Sequence, residues 1–393
     1  MDQPYSGLRI IDLGGELSAY ASRLFANLGA EVIMVELPGG RSDRHLPSPS
    51  LVPGYGGAEF AFTNAGKQSV TIDWASPKGW IVLEKILKRS EIVFLESDAI
   101  ELLPKILGVP GGRIITATSH FGLKGPYQAY AGNDLVAQAM GGLAWLSGTP
   151  GLPPLKVPAE QTRFITSAYA AAATAIALWD LEMKGQGHVI DVSAQECVAH
   201  SLQNAPQVWD LEHKVLSRGG EGIRDATEDV FACRGGYVFL AAALSLPASW
   251  NGIVDWMMRE GHPGADRLLE ADWQDRGLRA TAPMKLEFKE LFEGFLADKH
   301  RSEVLEVALR RKIAMAPVSD ISDIPNDPQL LFRDFFVDLP HPAFGRSVRF
   351  PGAPYRFSEP VWRITHAAPR IGEHNTQILS ASDEAARRAY DAS

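Results

Sequence analysis

The chain has 393 residues, which is enough for a large hydrophobic core and suggests two or three domains. Its 46% hydrophobic and 22% charged residues are typical of a globular protein, and the net charge of −9, with acids and bases interspersed, favours neither nucleic acid nor an anionic membrane as a partner. The two cysteines are too few for a disulfide framework or a Cys-rich metal site.

The first ~120 residues alternate between strand and helix patterns. The N-terminus lacks the charged-then-apolar pattern of a signal peptide, and no apolar run reaches the ~18 residues that span a bilayer, so a cytoplasmic location is expected. Because parallel strands need crossover connections, which are usually helical, the alternation predicts a doubly wound α/β domain. A nicotinamide dehydrogenase is disfavoured, since no G-x-G-x-x-G follows the first strand. The predicted strands are Leu8–Leu13, Glu31–Val35, Ser69–Asp73, Glu91–Leu95 and Arg113–Thr118, with helices at Ser18–Leu28 and Pro77–Arg89.

The later part of the chain is richer in helices and predicts a smaller α+β domain. Ser167–Lys184 contains strong helix formers and ends at Gly185, which can adopt a left-handed conformation. Pro340–Ser358 is predicted to be an extended segment that leads back, followed by a polar helix at about 382–391. The other predicted elements are a strand at His188–Val192, a helix at Ala194–Gln207, a mobile connection at Leu216–Thr227, a hairpin at Phe231–Ala243, and helices at about 246–260, 284–297 and 302–312.

Five separate motifs, in the same order along the chain, resemble the class III CoA-transferase family, also called CaiB/BaiF. Any one of these motifs is weak, but five in the right order are a specific signal. They are GLRIIDLGGELSAYASRLFANLGAEVIMVELPGG, FTNAGKQSVTIDWASPKG, TSHFGLKGPYQAYAGNDLVAQAMGGLAWLSG, MAPVSDISDIPNDPQL and APRIGEHNTQIL.

This resemblance implies a Rossmann-like large domain, a smaller α+β domain, and two subunits that interlock as rings. It places the large domain at residues 1–205 and 331–393, a linker at 206–229 and the small domain at 230–330. It also implies acyl-CoA and a carboxylic acid as substrates, with no covalently bound cofactor.

The segment PPLKVPAEQTRFITSAYAAAATAIALWDLEMKG departs from the family at its most important position. Family members usually carry a Gly-Asp pair just before the long Ala-rich helix, and that aspartate is the nucleophile that forms a mixed anhydride with the acyl group. Aligned without a gap from Pro153 to Gly185, its position holds Arg163. A guanidinium stays protonated and has no lone pair to offer, so it cannot act as the nucleophile. The chain resembles an acyl-CoA enzyme that has lost its own acyl carrier.

Two residues near this position have alternative roles. Glu160, three residues upstream, either supplies a nucleophilic or basic carboxylate to the site, or caps the helix that follows, where the macrodipole favours negative charge. Arg163 carries a like charge at the positive end of that dipole and so invites an anion. A substrate carboxylate, a CoA phosphate or Glu160 itself would serve.

Five residues are candidates for binding CoA. The resemblance gives Lys67 a contact with the CoA pyrophosphate or adenine side, and Leu17 and Ser18 are also predicted to bind CoA. Arg41 and Arg44 follow the second predicted strand, where parallel α/β sheets bind ligands, and would hold the 3′-phosphoadenosine. The alternative is that Lys67, Arg41 and Arg44 are solvated side chains in loops and bind no CoA.

Further departures lie in other family motifs. Glu96 stands in the turn where the family often has CoA-binding Asn and Phe, and a carboxylate there would repel phosphates. Asn133-Asp134 replaces the His-Asp pair of the racemase branch, so proton-shuttle chemistry is disfavoured and Asp134 is interpreted as structural. Gly141-Gly142 matches the loop that covers the active site in transferases, or is a simple turn.

Other candidate residues have more ordinary interpretations. Cys197 and His200 share a helix face, but a buried apolar cysteine beside a histidine is commoner than a nucleophile–base pair. Trp145, Trp179 and Trp209 would suit a bulky aromatic or alicyclic acyl group, although core packing is the simpler use. The histidines have no metal-like spacing with acidic or sulfur partners, so no metal site is predicted.

The leading hypothesis is a subunit of a heteromeric class III CoA-transferase, in which an aspartate-bearing relative supplies the nucleophile. One alternative is a homodimer that uses Glu160 for CoA transfer, or for hydrolysis or isomerisation of an acyl-CoA. The other alternative is a non-catalytic acyl-CoA-binding protein.

Overall fold

The computed structural model describes residues 3–45, 52–218 and 225–380. The chain forms two compact units, one of residues 1–215 with 332–393 and the other of residues 216–331. The large unit therefore extends ten residues beyond 205, into the segment predicted to be a linker. The helix predicted at about 382–391 lies outside the described residues, as do residues 219–224 of the predicted mobile connection.

A six-stranded parallel sheet forms the centre of the large unit, in the order β3-β2-β1-β4-β5-β6. Alternate residues of the central strands enter two hydrophobic clusters, with Ile11 and Val93 in one and Ile10 and Phe94 in the other. Both faces of the sheet are thus covered, which confirms the predicted doubly wound α/β fold. The strands are β1 (Arg9–Leu13), β2 (Glu31–Glu36), β3 (Gln68–Thr71), β4 (Ile92–Glu96), β5 (Ile114–Ser119) and β6 (Val189–Ser193).

Nine α-helices of four residues or more precede the small unit in the described part of the chain. Helix α3 begins as its sequence predicts, with the Ser76 side chain accepting a hydrogen bond from the Gly79 N–H and Pro77 in the first turn. The helices are α1 (Ala19–Asn27), α2 (Ala58–Thr63), α3 (Pro77–Leu87), α4 (Leu103–Leu107), α5 (Asp134–Met140), α6 (Leu143–Leu146), α7 (Gln161–Lys184), α8 (Ala194–His200) and α9 (Ala205–Glu212).

The long helix α7 is a core helix of this unit. By length and composition it is apolar enough to cross a membrane, although the sequence interpretation found no run that long. Its buried residues include Ala170, Thr174 and Ala177, and the Thr174 hydroxyl lies 2.7 Å from that of Thr116 on β5. The helix ends at Gly185, which adopts a left-handed φ of 69° as predicted.

The helix predicted at Ala194–Gln207 is two helices, α8 and α9. Pro206 lies in the first turn of α9, where its missing N–H is tolerated, whereas a continuous helix would lose a backbone hydrogen bond there. Gln203, in the connecting turn, has a positive φ of 58°. Because α9 continues to Glu212, part of the predicted linker is helical.

The second unit contains a three-stranded antiparallel sheet in the order β7-β8-β9 and several helices. Its core includes the fully buried Trp256, Trp273, Phe288 and Phe292. The predicted hairpin is confirmed, with Gly235 at a positive φ of 84° in its turn. The elements are β7 (Glu228–Cys233), β8 (Gly236–Ala241), α10 (Pro247–Arg259), α11 (Arg276–Arg279), α12 (Ala282–Leu296), α13 (Arg301–Arg311), β9 (Ala314–Pro317) and α14 (Pro328–Phe332). The last residue of α14 belongs to the large unit, and the part of the chain that follows it is called the return segment.

The return segment forms an antiparallel hairpin of β10 (Phe336–His341) and β11 (Arg346–Pro351). Leu339 and Phe350 of this hairpin pack with Ala65 and Ile364 in the large unit. Three of the tryptophans for which core packing was the simpler interpretation are exposed: Trp145 by 47%, Trp179 by 67% and Trp209 by 56%. The prediction that these three side chains pack in the core is therefore wrong for the single chain.

Candidate active site

Arg163, which the sequence resemblance aligns with the family nucleophile, lies in the first turn of α7 and is held by carboxylates. Its Nη2 atom is 2.6 Å from Glu16 Oε2, and its Nη1 donates a 2.7 Å hydrogen bond to Glu59 Oε1. Glu160 Oε2 is farther away, at 3.8 Å. Glu16 comes from the turn between β1 and α1, and Glu59 from the first turn of α2. We call these four residues the Arg163 cluster.

The charges of this cluster explain how an arginine is tolerated at the positive end of a helix dipole. Burial by itself lowers the pKa of Arg163, but the hydrogen bond to Glu59 and the charges of Glu16 and Glu160 raise it above its usual value. Burial raises the pKa of Glu16, an effect that Arg163 opposes and the neighbouring carboxylates reinforce. Three carboxylates thus surround one guanidinium, and Arg163 is a cation held in place at the start of α7.

Glu160 precedes α7 but its side chain does not cap the helix. The carboxylate lies 3.2 Å from Lys156 Nζ. The helix N-terminus is capped instead by Asp134, whose carboxylate accepts a 2.8 Å hydrogen bond from the Thr162 N–H and a 2.7 Å bond from Gln138. Glu160 thus stands at the N-cap position, as the capping alternative places it, but without a capping hydrogen bond, and Asp134 has the structural role expected of it. Nucleophilic or basic action by Glu160 stays a prediction.

The turn between β1 and α1 encloses the side chain of Glu96. Glu96 Oε2 accepts hydrogen bonds from the backbone N–H groups of Gly15 (2.9 Å), Leu17 (3.0 Å) and Ser18 (3.1 Å), and from the Ser18 hydroxyl (3.0 Å). A Cβ atom on Gly15 would lie 2.9 Å from Glu96 Oε1, so a glycine leaves room for the carboxylate. Burial raises the pKa of Glu96 to about 7, against the opposing effect of the Leu17 and Ser18 hydrogen bonds.

This arrangement changes how Leu17 and Ser18 are understood. Successive backbone N–H groups at a helix N-terminus form an anion site, and here the anion is a side chain of the same protein. Glu96 therefore occupies the turn as an internal ligand, whereas the sequence indicated only that it would face and repel phosphates. A CoA contact at Leu17 or Ser18 stays a prediction that requires Glu96 to move.

Lys67 immediately precedes β3 and Arg41 follows β2, and both side chains are buried. Lys67 Nζ is 2.8 Å from Asp12 Oδ2 and donates a 2.7 Å hydrogen bond to Asn64. Arg41 lies 2.6 Å from Asp43 and 3.4 Å from Asp12. Burial lowers the pKa of Lys67 to about 8, although Asp12 opposes this shift. Neither residue is a solvated loop side chain, and contact with a phosphate would require each to leave its carboxylate.

Arg44 is fully buried and is bound on both sides of its guanidinium. Its Nε and Nη2 atoms each donate a 2.6 Å hydrogen bond to the carboxylate of Glu36, and Nη1 donates to the Pro369 carbonyl at 3.1 Å. Bidentate pairs of this kind fix the orientation of both side chains. The solvated-loop alternative is thus wrong for Arg44 as well, and its role in CoA binding stays a prediction.

Gly141 and Gly142 form the junction between α5 and α6. A Cβ atom on Gly141 would lie 2.6 Å from Val198 Cγ1 on α8, and Gly142 has a positive φ of 88°. Both glycines are thus required by close packing and by the turn, and a role in covering a substrate stays a prediction.

The possible nucleophile–base pair of Cys197 and His200 does not form. Cys197 is buried, and burial raises the pKa of its thiol to about 11. The His200 Nδ1 atom lies 2.5 Å from the Tyr169 hydroxyl. No group of three or more His, Cys, Asp or Glu side chains that could hold a metal ion occurs among residues 3–45, 52–218 and 225–380.

The sequence interpretation missed Glu16 and Glu59, which complete the Arg163 cluster. One signal was present for Glu16, because the turn after the first strand of a doubly wound sheet lies at the ligand-binding edge. Glu59 lies 104 residues before Arg163, and no local pattern links the two.

Comparisons with known proteins agree with this fold. The family model described as CoA-transferase family III matches residues 5–375. The chain is 34% identical to the succinyl-CoA:(R)-benzylsuccinate CoA-transferase subunit BbsE of Thauera aromatica, over 96% of this chain and 94% of that one. It is 26% identical to the alpha subunit of the succinyl-CoA–L-malate CoA-transferase of Chloroflexus aurantiacus, over 96% and 88%.

Among solved structures, a CaiB/BaiF family protein from Brucella suis superposes with a TM-score of 0.86 at 23% identity, covering 98% of this chain and 100% of that one. The family match spans both units, and the ordered motifs indicate the same assignment. The chain is a member of the class III CoA-transferase family, CaiB/BaiF.

Proposed function

We propose that this chain is the non-nucleophilic subunit of a heteromeric acyl-CoA:carboxylate CoA-transferase. In this chemistry a carboxylate oxygen attacks the thioester carbonyl and the C–S bond breaks. The CoA thiolate departs, and the acyl group remains on the enzyme as a mixed anhydride. The observation that supports the proposal is the ion-paired Arg163 at the position of that nucleophile. An aspartate-bearing relative would supply the attacking oxygen.

The carboxylates of the Arg163 cluster are poor substitutes for the missing nucleophile. The lone pairs of Glu16 and Glu59 face a guanidinium at 2.6 and 2.7 Å, which reduces their nucleophilicity. Separating a carboxylate from this partly buried guanidinium costs about 1.5–3 kcal/mol, so attack on a thioester would begin from a disfavoured arrangement. Glu160 also lies beside Lys156. These contacts favour the heteromeric proposal over a homodimer that uses Glu160.

An apolar face of α7 supports a role in assembly. Ile176, Trp179 and Met183 lie on one side of the helix at spacings of three and four residues, and each is at least 67% exposed. Exposed apolar side chains grouped in this way are typical of a protein interface. We propose that this face packs on the catalytic subunit, in the interlocked arrangement that the family resemblance implies.

The proposed substrates are an acyl-CoA and a carboxylic acid bound by the assembled enzyme, without a covalently bound cofactor. Two relatives that are subunits of heteromeric enzymes carry succinyl-CoA in their names. We therefore propose succinyl-CoA as the first donor to assay, with an aryl-substituted succinate as the first acceptor.

The test is purification of the chain alone and together with an aspartate-bearing relative from the same source. Each preparation is assayed for CoA transfer from succinyl-CoA by chromatography of the thioesters. We expect transfer only with both chains, its loss when the relative's aspartate is replaced by asparagine, and activity within about threefold of the wild type for Glu160→Gln, because Glu160 is ion-paired and has no part in the chemistry.

Two outcomes would contradict the proposal. Transfer by this chain alone, abolished by Glu160→Gln, would establish the homodimeric alternative. Binding of succinyl-CoA without turnover in either preparation would establish a non-catalytic acyl-CoA-binding protein.

A further inference from the structure

Small-molecule sites typically have volumes of about 300–1,000 Å³. A cavity of about 620 Å³ lies between α2 and the β10–β11 hairpin of the large unit. Ala61 and Phe62 of α2 face it, while Glu59 of the same helix pairs with Arg163. The cavity is therefore separate from the Arg163 cluster. Its apolar walls are formed mainly by Tyr55, Ala61, Phe62, Phe344, Val348 and Phe350.

His341, the last residue of β10, is a polar group in this apolar wall. Its side chain lies among the cavity residues, the residue is 4% exposed, and Nδ1 has no hydrogen-bond partner in the described part of the chain. The ring centroid is 5.7 Å from that of Tyr55 and 4.8 Å from that of Phe344. Burial lowers the pKa of His341, so the imidazole is neutral near neutral pH and can donate or accept one hydrogen bond. A buried polar atom without a partner indicates a position for a polar ligand group.

The charged residues of the cavity are arginines. Arg346 and Arg349 both line it, and the described lining residues include no Asp or Glu. Arg349 is paired with Asp338 outside the lining, at 3.2 Å. Within the ranges that the structure describes, Arg346 donates only to the backbone carbonyl of Ser347, at 3.2 Å. The guanidinium of Arg346 is thus the cation best placed to receive an anion.

We infer that this cavity is a second ligand site, which binds a carboxylic acid with an aromatic body. The aromatic body lies against the rings of Tyr55, Phe62 and Phe350, the carboxylate pairs with Arg346, and His341 supplies a further hydrogen bond. Aromatic rings favour offset or edge-on contact with such a body, and the charge of the arginines selects an acid over a neutral analogue. The inference does not depend on which subunit carries out the transfer chemistry.

Calorimetric titration with 2-naphthoate tests the site, with 2-naphthalenemethanol as the neutral analogue of the same shape. We expect wild-type chain to bind naphthoate at least fivefold more tightly than the alcohol. Ala61→Trp fills the cavity and is expected to weaken both ligands at least tenfold. Arg346→Gln is expected to remove the preference for the acid, and His341→Phe, which keeps a ring at that position, to weaken naphthoate severalfold.

Arg356→Gln is the matched control, since Arg356 lies on the same return segment, is half-exposed and pairs with Asp334 away from this cavity. Its affinity for naphthoate should equal that of the wild type. Equal binding by wild type and Ala61→Trp, or no binding at millimolar naphthoate, would overturn the inference. If Ala61→Trp fails to fold, the comparison of acid with alcohol in wild type and Arg346→Gln still decides the matter.

The titration is repeated on the assembly with an aspartate-bearing relative. If Ala61→Trp prevents that assembly and naphthoate does not bind to the chain alone, the cavity is a subunit interface and the inference is wrong. Transfer activity is measured separately, so failure of naphthoate binding leaves the proposed subunit role intact, and failure of the transfer assay leaves this site intact.

Discussion

The guanidinium of Arg163 and the carboxylate of Glu59 are joined by a 2.7 Å hydrogen bond that connects the first turn of α7 to α2. The sequence resemblance aligns Arg163 with the nucleophilic aspartate of the class III CoA-transferase family. In this chain the arginine is a structural group, since it also binds Glu16 from the turn after β1. Three separate segments of the large unit meet at this one side chain.

Removal of the guanidinium should destabilise the fold. Arg163→Ala leaves Glu16, Glu59 and Glu160 close together without a cation, and we expect the free energy of unfolding to fall by about 1.5–3 kcal/mol. Urea denaturation at neutral pH measures the change. The control is Arg356→Ala, whose partner Asp334 is almost fully exposed, so its effect should be below about 0.5 kcal/mol. Equal effects of the two substitutions would show that the Arg163 cluster contributes no special stability.

Glu96 should make the stability of the protein fall as the pH rises. Burial raises its pKa from 4.5 to about 7, so between these pH values the folded state holds a proton that the unfolded state has lost. The stabilisation of the folded state by the protonated Glu96 carboxyl is fully present below pH 4.5 and is lost as the pH rises through 7. Over that window we expect wild type to lose up to about 3 kcal/mol relative to Glu96→Gln.

Urea denaturation of both proteins at pH 5 and pH 7.5 measures this difference, and the comparison between them cancels the effect of other titrating groups. If the difference in unfolding free energy between wild type and Glu96→Gln is the same at both pH values, the hydrogen bonds from Leu17 and Ser18 fully stabilise the ionised carboxylate.

The sequence predicted the sheet well because burial on both faces requires continuous apolar strands. The run at Leu8–Leu13 differs from β1 by one residue, and the strand predicted at Glu91–Leu95 differs from β4 by one residue at each end. Side-chain direction at the ends of strands was harder to predict. The local pattern placed an acid at Glu96 but did not show that the carboxylate turns into the loop that precedes α1, because that depends on the packing of two neighbouring strands.

The candidate site could be predicted only in part for the same reason. An ungapped alignment identified Arg163, but its partners Glu16 and Glu59 come from distant segments. The exposed Trp179 was interpreted as a core residue because composition and periodicity cannot distinguish a core from an interface that a second chain covers.

The buried pair of Lys67 and Asp12 should be a second determinant of stability. Lys67→Met leaves the fully buried Asp12 without its closest cation, and we expect a loss of about 3–5 kcal/mol in the free energy of unfolding. Lys88→Met is the control, because Lys88 forms a half-exposed pair with Glu84 on the surface of α3 and should change stability by less than about 0.5 kcal/mol.

The double substitution Asp12→Asn with Lys67→Met separates the pair from its surroundings. We expect it to be more stable than Lys67→Met alone, since no unpaired buried charge remains. A double variant that is less stable than both single variants would indicate that Arg41, which also lies near Asp12, compensates for the loss of Lys67.

The apolar face of α7 should determine assembly with a catalytic subunit. Ile176 and Trp179 are 72% and 67% exposed, so charged substitutions there cost little in the folded single chain, but they would place charged side chains in an apolar interface. We expect Ile176→Glu with Trp179→Lys to retain the thermal stability of the chain and to weaken association with the aspartate-bearing relative at least tenfold, as measured by sedimentation velocity over a concentration series. Leu309→Lys is the control, since Leu309 is 72% exposed on α13 of the other unit and does not belong to this face. A complex of unchanged mass and affinity for the α7 variant would show that the interface lies elsewhere on the chain.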